Sequence, residues 1–202
     1  MHTRYAAQRL LQLSKAQQCV ELGARPITVQ RLTGLRSPDL HRWFFRHPED
    51  AHRGRAPCAT QWYQGANLLQ RIDASLVTAF FQRSHSGGFS ALDALLSAYL
   101  GYQELGLPDP RVDFDRAFDL AAHTAGIWLT QKPRFAVVTC PTCASESLTD
   151  YGRSVPLGCP FCQLLERHAL DPRVQVHFPE PTLRKAPPVT LGITLLCRHA
   201  QR

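Results

Sequence analysis

Two C-x-x-C pairs constrain this chain more than any other feature of its sequence. The first pair is Cys140 and Cys143, the second is Cys159 and Cys162, and fifteen residues separate the pairs. Two residues between paired cysteines let one tight turn direct both sulfurs at the same point, and a loop of this length lets the second pair complete a tetrahedron. Zn²⁺ binds four thiolates in that geometry at about 2.3 Å. The pattern therefore predicts one structural zinc ion, with no coordination position left for water or substrate.

Other uses of these cysteines fit the sequence less well. Two disulfides would require an oxidising compartment, and the chain has seven cysteines, an odd number. A thioredoxin-type redox pair would use one C-x-x-C within a βαβ pattern, which the sequence lacks. An iron–sulfur cluster is an alternative, but the symmetric spacing favours zinc. The three isolated cysteines are interpreted as simple thiols of the core or surface: Cys19, Cys58 and Cys197.

The composition excludes several classes of protein. Apolar residues form 44% of the 202 residues, which is enough for a packed core and excludes wholesale disorder. No apolar run approaches the ~20 residues that span a bilayer, and the N-terminus leads into an amphipathic stretch instead of a signal peptide. We therefore expect a cytoplasmic chain that does not associate with a membrane.

The formal net charge of +7 is concentrated near the N-terminus. Residues 1–60 carry ten basic and four acidic side chains, a net charge of +6, and almost all basic residues of the chain are arginines. Arginine presents a rigid fork of donors that suits phosphates and guanine edges. This segment is therefore either a binding site for a polyanion or a solvated surface.

Residues 26–45 match the twenty-residue pattern of a helix-turn-helix. Gly34 lies where the turn needs a permissive backbone, and Val29 and Leu35 lie at core positions on either side of it. In the second helix, Ser37 is the expected N-cap, and Pro38 occupies the first turn, where no N–H group is missed. The same pattern would also fit an ordinary helical hairpin of the core.

The helical phase of the second helix separates an inner face from a basic outer face. A step of 100° per residue places Leu40, Trp43 and Phe44 on the inner face. Phe45 falls among basic side chains on the outer face, which suggests contact with DNA or another chain. A helix offers an outer face of this kind to the major groove. Charge and phase together give the candidate DNA-binding residues: Arg25, Arg31, Arg36, His41, Arg42 and Arg46.

The remaining periodicity predicts a mainly α fold: a helical body with a helix-turn-helix-like segment and a small C-terminal four-cysteine zinc module. The predicted domains are a helical body for DNA and partner binding over residues 1–134, the zinc module over 135–170, and a proline-rich C-terminal tail over 171–202. Besides the helical hairpin, the pattern predicts helices near residues 3–22, 61–83, 90–105, 114–130 and 161–169, and a strand at 135–139.

Signatures of catalysis are largely missing from the sequence. It contains no H-E-x-x-H, P-loop or G-x-S-x-G motif, and the P-C-x-x-C motif of zinc deaminases is absent. We therefore expect no catalytic residues, no enzymatic activity and no small-molecule substrate. Four acidic residues are interpreted as solvated side chains near the start of a helix: Asp109, Asp113, Asp115 and Asp119.

Several segments of the chain match one known family. The matches are residues 21–25 (ELGAR), residues 33–37 (TGLRS), Pro57 followed by residues 61–63 (QWY), and the two C-x-x-C pairs, and they extend from about residue 19 to residue 162. They resemble the FlhC family, whose members are subunits of the flagellar master transcriptional activator. The resemblance implies a mainly helical zinc protein that forms a hetero-oligomer with FlhD. It also implies binding to double-stranded promoter DNA of flagellar operons and activation of transcription by RNA polymerase. The zinc ligation of the family carries onto Cys140, Cys143, Cys159 and Cys162.

A second class of function fits the same charge and cysteines. A divergent paralogue could be a zinc-stapled adaptor whose basic N-terminal region docks an acidic protein without specific DNA binding. Duplex DNA binding across a salt series separates the two classes, because phosphate contacts make affinity fall steeply with salt.

Overall fold

The described part of the chain is mostly helical. The computed structural model describes residues 2–47, 58–107, 109–129, 132–152 and 157–177. The predicted mainly α fold class, with a helix-turn-helix-like segment and a C-terminal four-cysteine module, is confirmed. Among the helices in these ranges, none combines the length and the apolar character needed to cross a membrane. The elements follow in the order α1 (His2–Glu21), α2 (Pro26–Thr33), α3 (Ser37–Trp43), α4 (Ala59–Gln64), α5 (Leu68–Ser86), α6 (Ala91–Glu104), α7 (Phe114–Ala125), β1 (Phe135–Thr139), β2 (Glu146–Asp150), α8 (Pro160–His168) and α9 (Pro172–His177).

Helix α5 lies at the centre of the packing. It contacts α6, α7, α8 and both strands, and its side chains Ile72, Val77 and Phe81 are almost inaccessible to solvent. Burying a large apolar side chain of this kind contributes about 1.5–3 kcal/mol. Phe135 of β1 and Leu148 of β2 belong to the same buried cluster. The antiparallel β1–β2 hairpin therefore packs on the helical body through one shared core.

The prediction of one long helix at residues 61–83 is wrong, because the structure divides this segment into α4 and α5. Helix α4 ends before Gly65, and Asn67 begins α5 through a capping box. The Asn67 side chain accepts the Gln70 N–H at 3.0 Å, and the Gln70 side chain accepts the Asn67 N–H at 2.9 Å. These side chains satisfy two N–H groups that are orphaned at the start of a helix.

Two further boundaries differ from the prediction. Helix α7 ends at Ala125 instead of near residue 130, because Gly126 adopts a φ of 71° and its N–H bonds to the Ala122 carbonyl. Helix α9 occupies Pro172–His177, inside the segment predicted to be a proline-rich tail, for which no helix was predicted. Its first residue is a proline, which fits the first turn of a helix. Residues 178–202 of that tail, including Cys197, lie outside the described residues.

The helical hairpin of α2 and α3 forms as predicted. Gly34 closes α2 with a φ of 69°, a left-handed conformation that favours glycine. Val29, Leu35 and Leu40 are buried, as the pattern requires. The predicted N-cap is wrong, because α3 begins at Ser37 itself and no side chain caps its first turn.

Two aromatic residues at the end of α3 are exchanged relative to the predicted faces. Phe45 is 4% exposed and belongs to the core, whereas Trp43 is 52% exposed. The N–H groups of Phe44 and Phe45 both bond to the Leu40 carbonyl, at 2.8 and 3.3 Å. This wider last turn breaks the 100° step and rotates Phe45 inward. The suggested contact of Phe45 with DNA or another chain is therefore wrong.

A buried carboxylate links α5 to α6 and to the loop before α7. The Asp73 side chain accepts the Tyr102 hydroxyl at 2.8 Å and the Arg111 backbone N–H at 3.1 Å. The Arg111 guanidinium lies 3.5 Å from the same oxygen. Burial nevertheless raises the pKa of Asp73, because desolvation of the charged form outweighs these favourable contacts.

Replacing Asp73 with Asn is expected to alter the pH dependence of stability. The raised pKa means that the folded chain binds the Asp73 proton more tightly than the unfolded chain. Stability is therefore lost as the pH rises from the usual pKa of Asp through the raised one. Asn has no proton to release, so Asp73→Asn should lack this loss. Urea unfolding between about pH 4 and pH 7 measures the two slopes, and equal slopes would contradict the prediction.

Candidate functional site

The four cysteines of the two C-x-x-C pairs converge at one point. The Sγ atoms of Cys140 and Cys162 lie 3.7 Å apart, as do those of Cys143 and Cys159. All four Sγ atoms lie within 4.8 Å of one another. Four sulfurs placed tetrahedrally about 2.3 Å from a central ion would be separated by about 3.8 Å. The cluster therefore has the dimensions of a four-thiolate metal site and could hold a metal ion.

The first pair lies in the turn between β1 and β2, which we call the first knuckle (residues 139–145). The Cys140 N–H bonds to the Ser145 carbonyl at 2.9 Å, and the Ala144 N–H bonds to the Cys140 carbonyl at 2.9 Å. The N–H groups of Cys143 and Thr142 donate to the Cys140 sulfur and lower the pKa of Cys140 to about 6. Bonds from the side chain and backbone of Ser145 lower the pKa of Cys143. The turn thus favours the thiolate form, which is the metal-binding form.

The second pair lies at the start of α8, in a segment that we call the second knuckle (residues 157–163). Gly158 has a φ of 70°, and Cys159 precedes Pro160 as the N-cap residue of α8. Burial raises the pKa of Cys159, opposed by the N–H groups of Cys162 and Phe161. The bond with Cys143 is the main cause that raises the pKa of Cys162 to about 12. Four thiolates at this spacing repel one another, so a central cation is what would allow all four to ionise.

The β1–β2 hairpin and the second knuckle are attached to the helical body by hydrogen bonds that the sequence pattern did not predict. The Leu148 N–H of β2 donates to the Ser75 hydroxyl at 3.0 Å, and the Tyr63 hydroxyl donates to the Leu148 carbonyl at 2.7 Å. Arg71 of α5 donates to the carbonyl of Gly158 at 2.6 Å. The sequence carried little signal for these residues, because α5 contains several other polar side chains and only the structure shows which of them are buried with specific partners.

Five of the six candidate DNA-binding residues are exposed on the α2–α3 hairpin and the residues just after it. The Arg42 guanidinium lies 5.7 Å from the centre of the Trp43 ring. The Arg46 Nε donates to the Arg42 carbonyl at 3.0 Å, which holds the two arginines together. We call these exposed residues the basic surface: Arg31, Arg36, His41, Arg42 and Arg46.

Arg25, the sixth candidate, lies in a different environment. Its side chain is only 19% exposed, and its Nε lies 3.5 Å from a carboxylate oxygen of Asp115. Asp115 also accepts the Arg25 backbone N–H at 3.1 Å and the Thr28 hydroxyl at 2.5 Å. The interpretation of Asp115 as a solvated side chain is wrong, because it is 5% exposed and joins α2 to α7. Arg25 therefore has a structural contact inside the body, away from the basic surface.

The structure thus contains two candidate sites. One is a four-thiolate cluster that could hold a metal ion, and the other is the exposed basic surface on the α2–α3 hairpin. A scan of the chain against protein-family models found no match, and a search of the curated proteins found none either. The functional assignment therefore rests on the residues themselves and on the motifs that they form.

Proposed function

We propose that this chain is a DNA-binding transcriptional activator subunit that contains one structural Zn²⁺. The observation that supports this proposal is the exposed basic surface on a helical hairpin of helix-turn-helix form. Following the resemblance to the FlhC family, the chain would act in the cytoplasm as a complex with FlhD. The complex would bind promoter DNA of flagellar operons and stimulate transcription by RNA polymerase.

Zinc is the metal that best fits the four-cysteine cluster. Four thiolates in a tetrahedral arrangement select Zn²⁺ or iron, and the two symmetric knuckles favour a single zinc ion. All four positions are supplied by protein sulfurs, so the ion would have no open position at which to activate water. Its role would be to hold the two knuckles together, because a module of this size has little core of its own.

The basic surface has the charge and position that DNA binding requires. Among the described arginines that form ion pairs with carboxylates, Arg36 has the most exposed side chain. It is 82% accessible to solvent and is paired with Asp39. His41 and Arg42 lie within α3, the second helix of the hairpin, which is the helix that enters the major groove in helix-turn-helix proteins. Arg31 belongs to α2 and Arg46 follows α3, so they are suited to contact the flanking phosphates.

One observation favours the second candidate function, an adaptor that docks an acidic protein. Trp43 is 52% exposed and lies beside Arg42. Tryptophan and arginine are the residues most enriched in the energetically dominant parts of protein interfaces. An acidic partner would then bind the same surface that DNA binds in the first proposal.

Binding of flagellar promoter duplexes across a salt series tests the proposal, with and without FlhD. Each phosphate neutralised by the protein should contribute about −0.9 to the slope of log K against log salt concentration. A steep slope together with preference for promoter sequence supports the activator function. If no promoter fragment binds even with FlhD present, the activator function is wrong and the adaptor function is favoured.

Arg42→Ala is expected to weaken promoter binding by about tenfold, since a bidentate contact to a base contributes about 1–3 kcal/mol. Loss of a base contact should reduce specific binding more than non-specific binding, whereas loss of a phosphate contact should reduce both equally. Fluorescence anisotropy with promoter and scrambled duplexes measures the two affinities. The matched control is Arg167→Ala, which removes an exposed arginine from α8 and should leave both affinities unchanged. Equal promoter affinities of the Arg42 and Arg167 variants would show that Arg42 does not contact the DNA.

A further inference from the structure

Arg71 is a buried arginine whose side-chain hydrogen bonds, among the residues that the structure describes, all end on the second knuckle. The residue is only 5% exposed and lies in the first turn of α5. Its Nη1 donates to the Gln163 side-chain oxygen at 3.1 Å, and its Nη2 donates to the carbonyls of Leu157 at 3.3 Å and Gly158 at 2.6 Å. The Gln163 amide donates in turn to the Leu157 carbonyl at 2.7 Å. The guanidinium is therefore fixed beside the segment that carries Cys159.

The contacts of Arg71 do not include the negative charge that normally accompanies a buried guanidinium. The three acceptors are neutral oxygens, and within the described ranges its Nε has no hydrogen-bond partner and no carboxylate forms an ion pair with it. Burying a cation without a compensating negative charge is strongly unfavourable. Some other source of negative charge close to Arg71 would remove this difficulty.

The four-cysteine cluster supplies that charge when it holds a divalent ion. Four thiolates and one Zn²⁺ have a net charge of −2, which is also unfavourable in a partly buried place. Gly158 directly precedes Cys159, and Gln163 directly follows Cys162, so the acceptors of Arg71 adjoin two of the sulfur ligands. The cation is therefore bound to residues that are the direct chain neighbours of two ligands of the anionic centre.

We infer that Arg71 is the internal counter-ion of the four-thiolate metal centre and a positioning residue for its second knuckle. The guanidinium stabilises the charged, metal-bound cluster through charge and holds the Cys159 turn through its hydrogen bonds. Because Arg71 belongs to α5, metal binding and attachment of the module to the helical body depend on each other. This inference rests on the metal site of the proposed function and is independent of DNA binding.

Replacing Arg71 with Met tests the inference, with metal affinity as the readout. Competition of the full-length chain against a chromophoric chelator should show Zn²⁺ affinity reduced by about 10–100-fold, the usual effect of losing a partner just outside the ligands. Arg71→Lys keeps the positive charge without the fork of donors and should recover part of that loss. The matched control is Arg83→Met. It removes another arginine that links α5 to the β1–β2 hairpin, since the Arg83 Nη2 lies 2.7 Å from the Glu146 carboxylate. It should leave the affinity unchanged.

Two variants of Gln163 test the charge without altering α5, which keeps the inference falsifiable if Arg71→Met does not fold. Gln163→Glu places a carboxylate against the guanidinium and adds negative charge near the cluster. Gln163→Met removes the same amide without adding charge. The glutamate variant is expected to bind Zn²⁺ more weakly than the methionine variant, with a difference that shrinks as salt is added.

The outcomes separate this inference from the metal site itself. If the wild-type chain does not bind one Zn²⁺, the metal site is wrong and the inference is overturned with it. If the wild-type chain binds Zn²⁺ and Arg71→Met binds it equally tightly, the site stands and only the inference is overturned. Equal affinities of the lysine and methionine variants, or of the two Gln163 variants, would overturn the role of charge.

Discussion

Cys143→Ser is expected to abolish stoichiometric metal binding and to release the β1–β2 hairpin and α8 from each other. Cys143 belongs to the first knuckle, and its sulfur lies 3.7 Å from that of Cys159 in the second. A serine hydroxyl is a poor ligand for Zn²⁺. The loss of affinity should therefore exceed the reduction of about 100-fold that follows from losing a residue bonded to a ligand. Metal content after gel filtration, measured by atomic emission, should fall from one ion per chain to well below one.

The matched control is Cys58→Ser, which changes a half-buried cysteine that lies before α4 and should retain one ion per chain. A chelator should imitate the Cys143 variant in the wild-type chain. At a free metal concentration of about 1,000 times Kd, removal of the metal lowers the free energy of unfolding by about 4 kcal/mol. Full metal content in Cys143→Ser, or a melting temperature that the chelator leaves unchanged, would contradict a four-thiolate site.

Asp115→Ala is expected to lower the free energy of unfolding by about 3 kcal/mol. The carboxylate is buried on α7 and accepts the Thr28 hydroxyl at 2.5 Å and the Arg25 N–H at 3.1 Å. Its removal takes away the acceptor of these two donors and the negative charge beside the Arg25 guanidinium, in a poorly solvated place. The α2–α3 hairpin should then loosen relative to α7, and promoter binding should weaken even though Asp115 is not on the basic surface. Urea unfolding measures the first effect and duplex anisotropy the second.

Asp113→Ala provides the control for this position. Asp113 is the exposed N-cap residue of the same helix and accepts the Arg116 N–H at 2.7 Å. Loss of such a cap lowers the free energy of unfolding by about 1 kcal/mol and should not affect the α2–α3 hairpin. A double-mutant cycle between Thr28→Val and Asp115→Asn should give a coupling energy of about 1 kcal/mol or more. Zero coupling, or equal losses for the Asp113 and Asp115 variants, would show that the link between α2 and α7 is weak.

Local signals predicted much of the helical architecture. Gly34 ends α2 with a positive φ, and Ser90 caps α6 by accepting the Asp93 N–H, so these boundaries follow from backbone chemistry within a few residues. Strand β2 was not predicted, because residues 146–150 lack apolar alternation and form a strand only by pairing with β1. The division between α4 and α5 was missed because the hydrophobic pattern continues through it.

The candidate site was predictable where spacing alone determines it and not where tertiary contacts do. The convergence of the four sulfurs followed from two short repeats in the sequence. The environment of Arg25 did not, because its partner Asp115 is ninety residues away. The same holds for Arg71, whose acceptors lie 86 to 92 residues further along the chain. A count of charges identifies a basic segment, but it does not show which arginines have partners inside the fold.

The bonds that Ser75 and Tyr63 make to Leu148 have a consequence for the behaviour of the chain at high concentration. A two-stranded sheet ordinarily leaves free N–H and carbonyl groups along its outer edge, and such an edge can recruit a strand of another molecule. On β2, the N–H and carbonyl of Leu148 are already occupied by two hydroxyl groups of the helical body. Aggregation by strand addition at this edge is therefore expected only after the β1–β2 hairpin separates from α5.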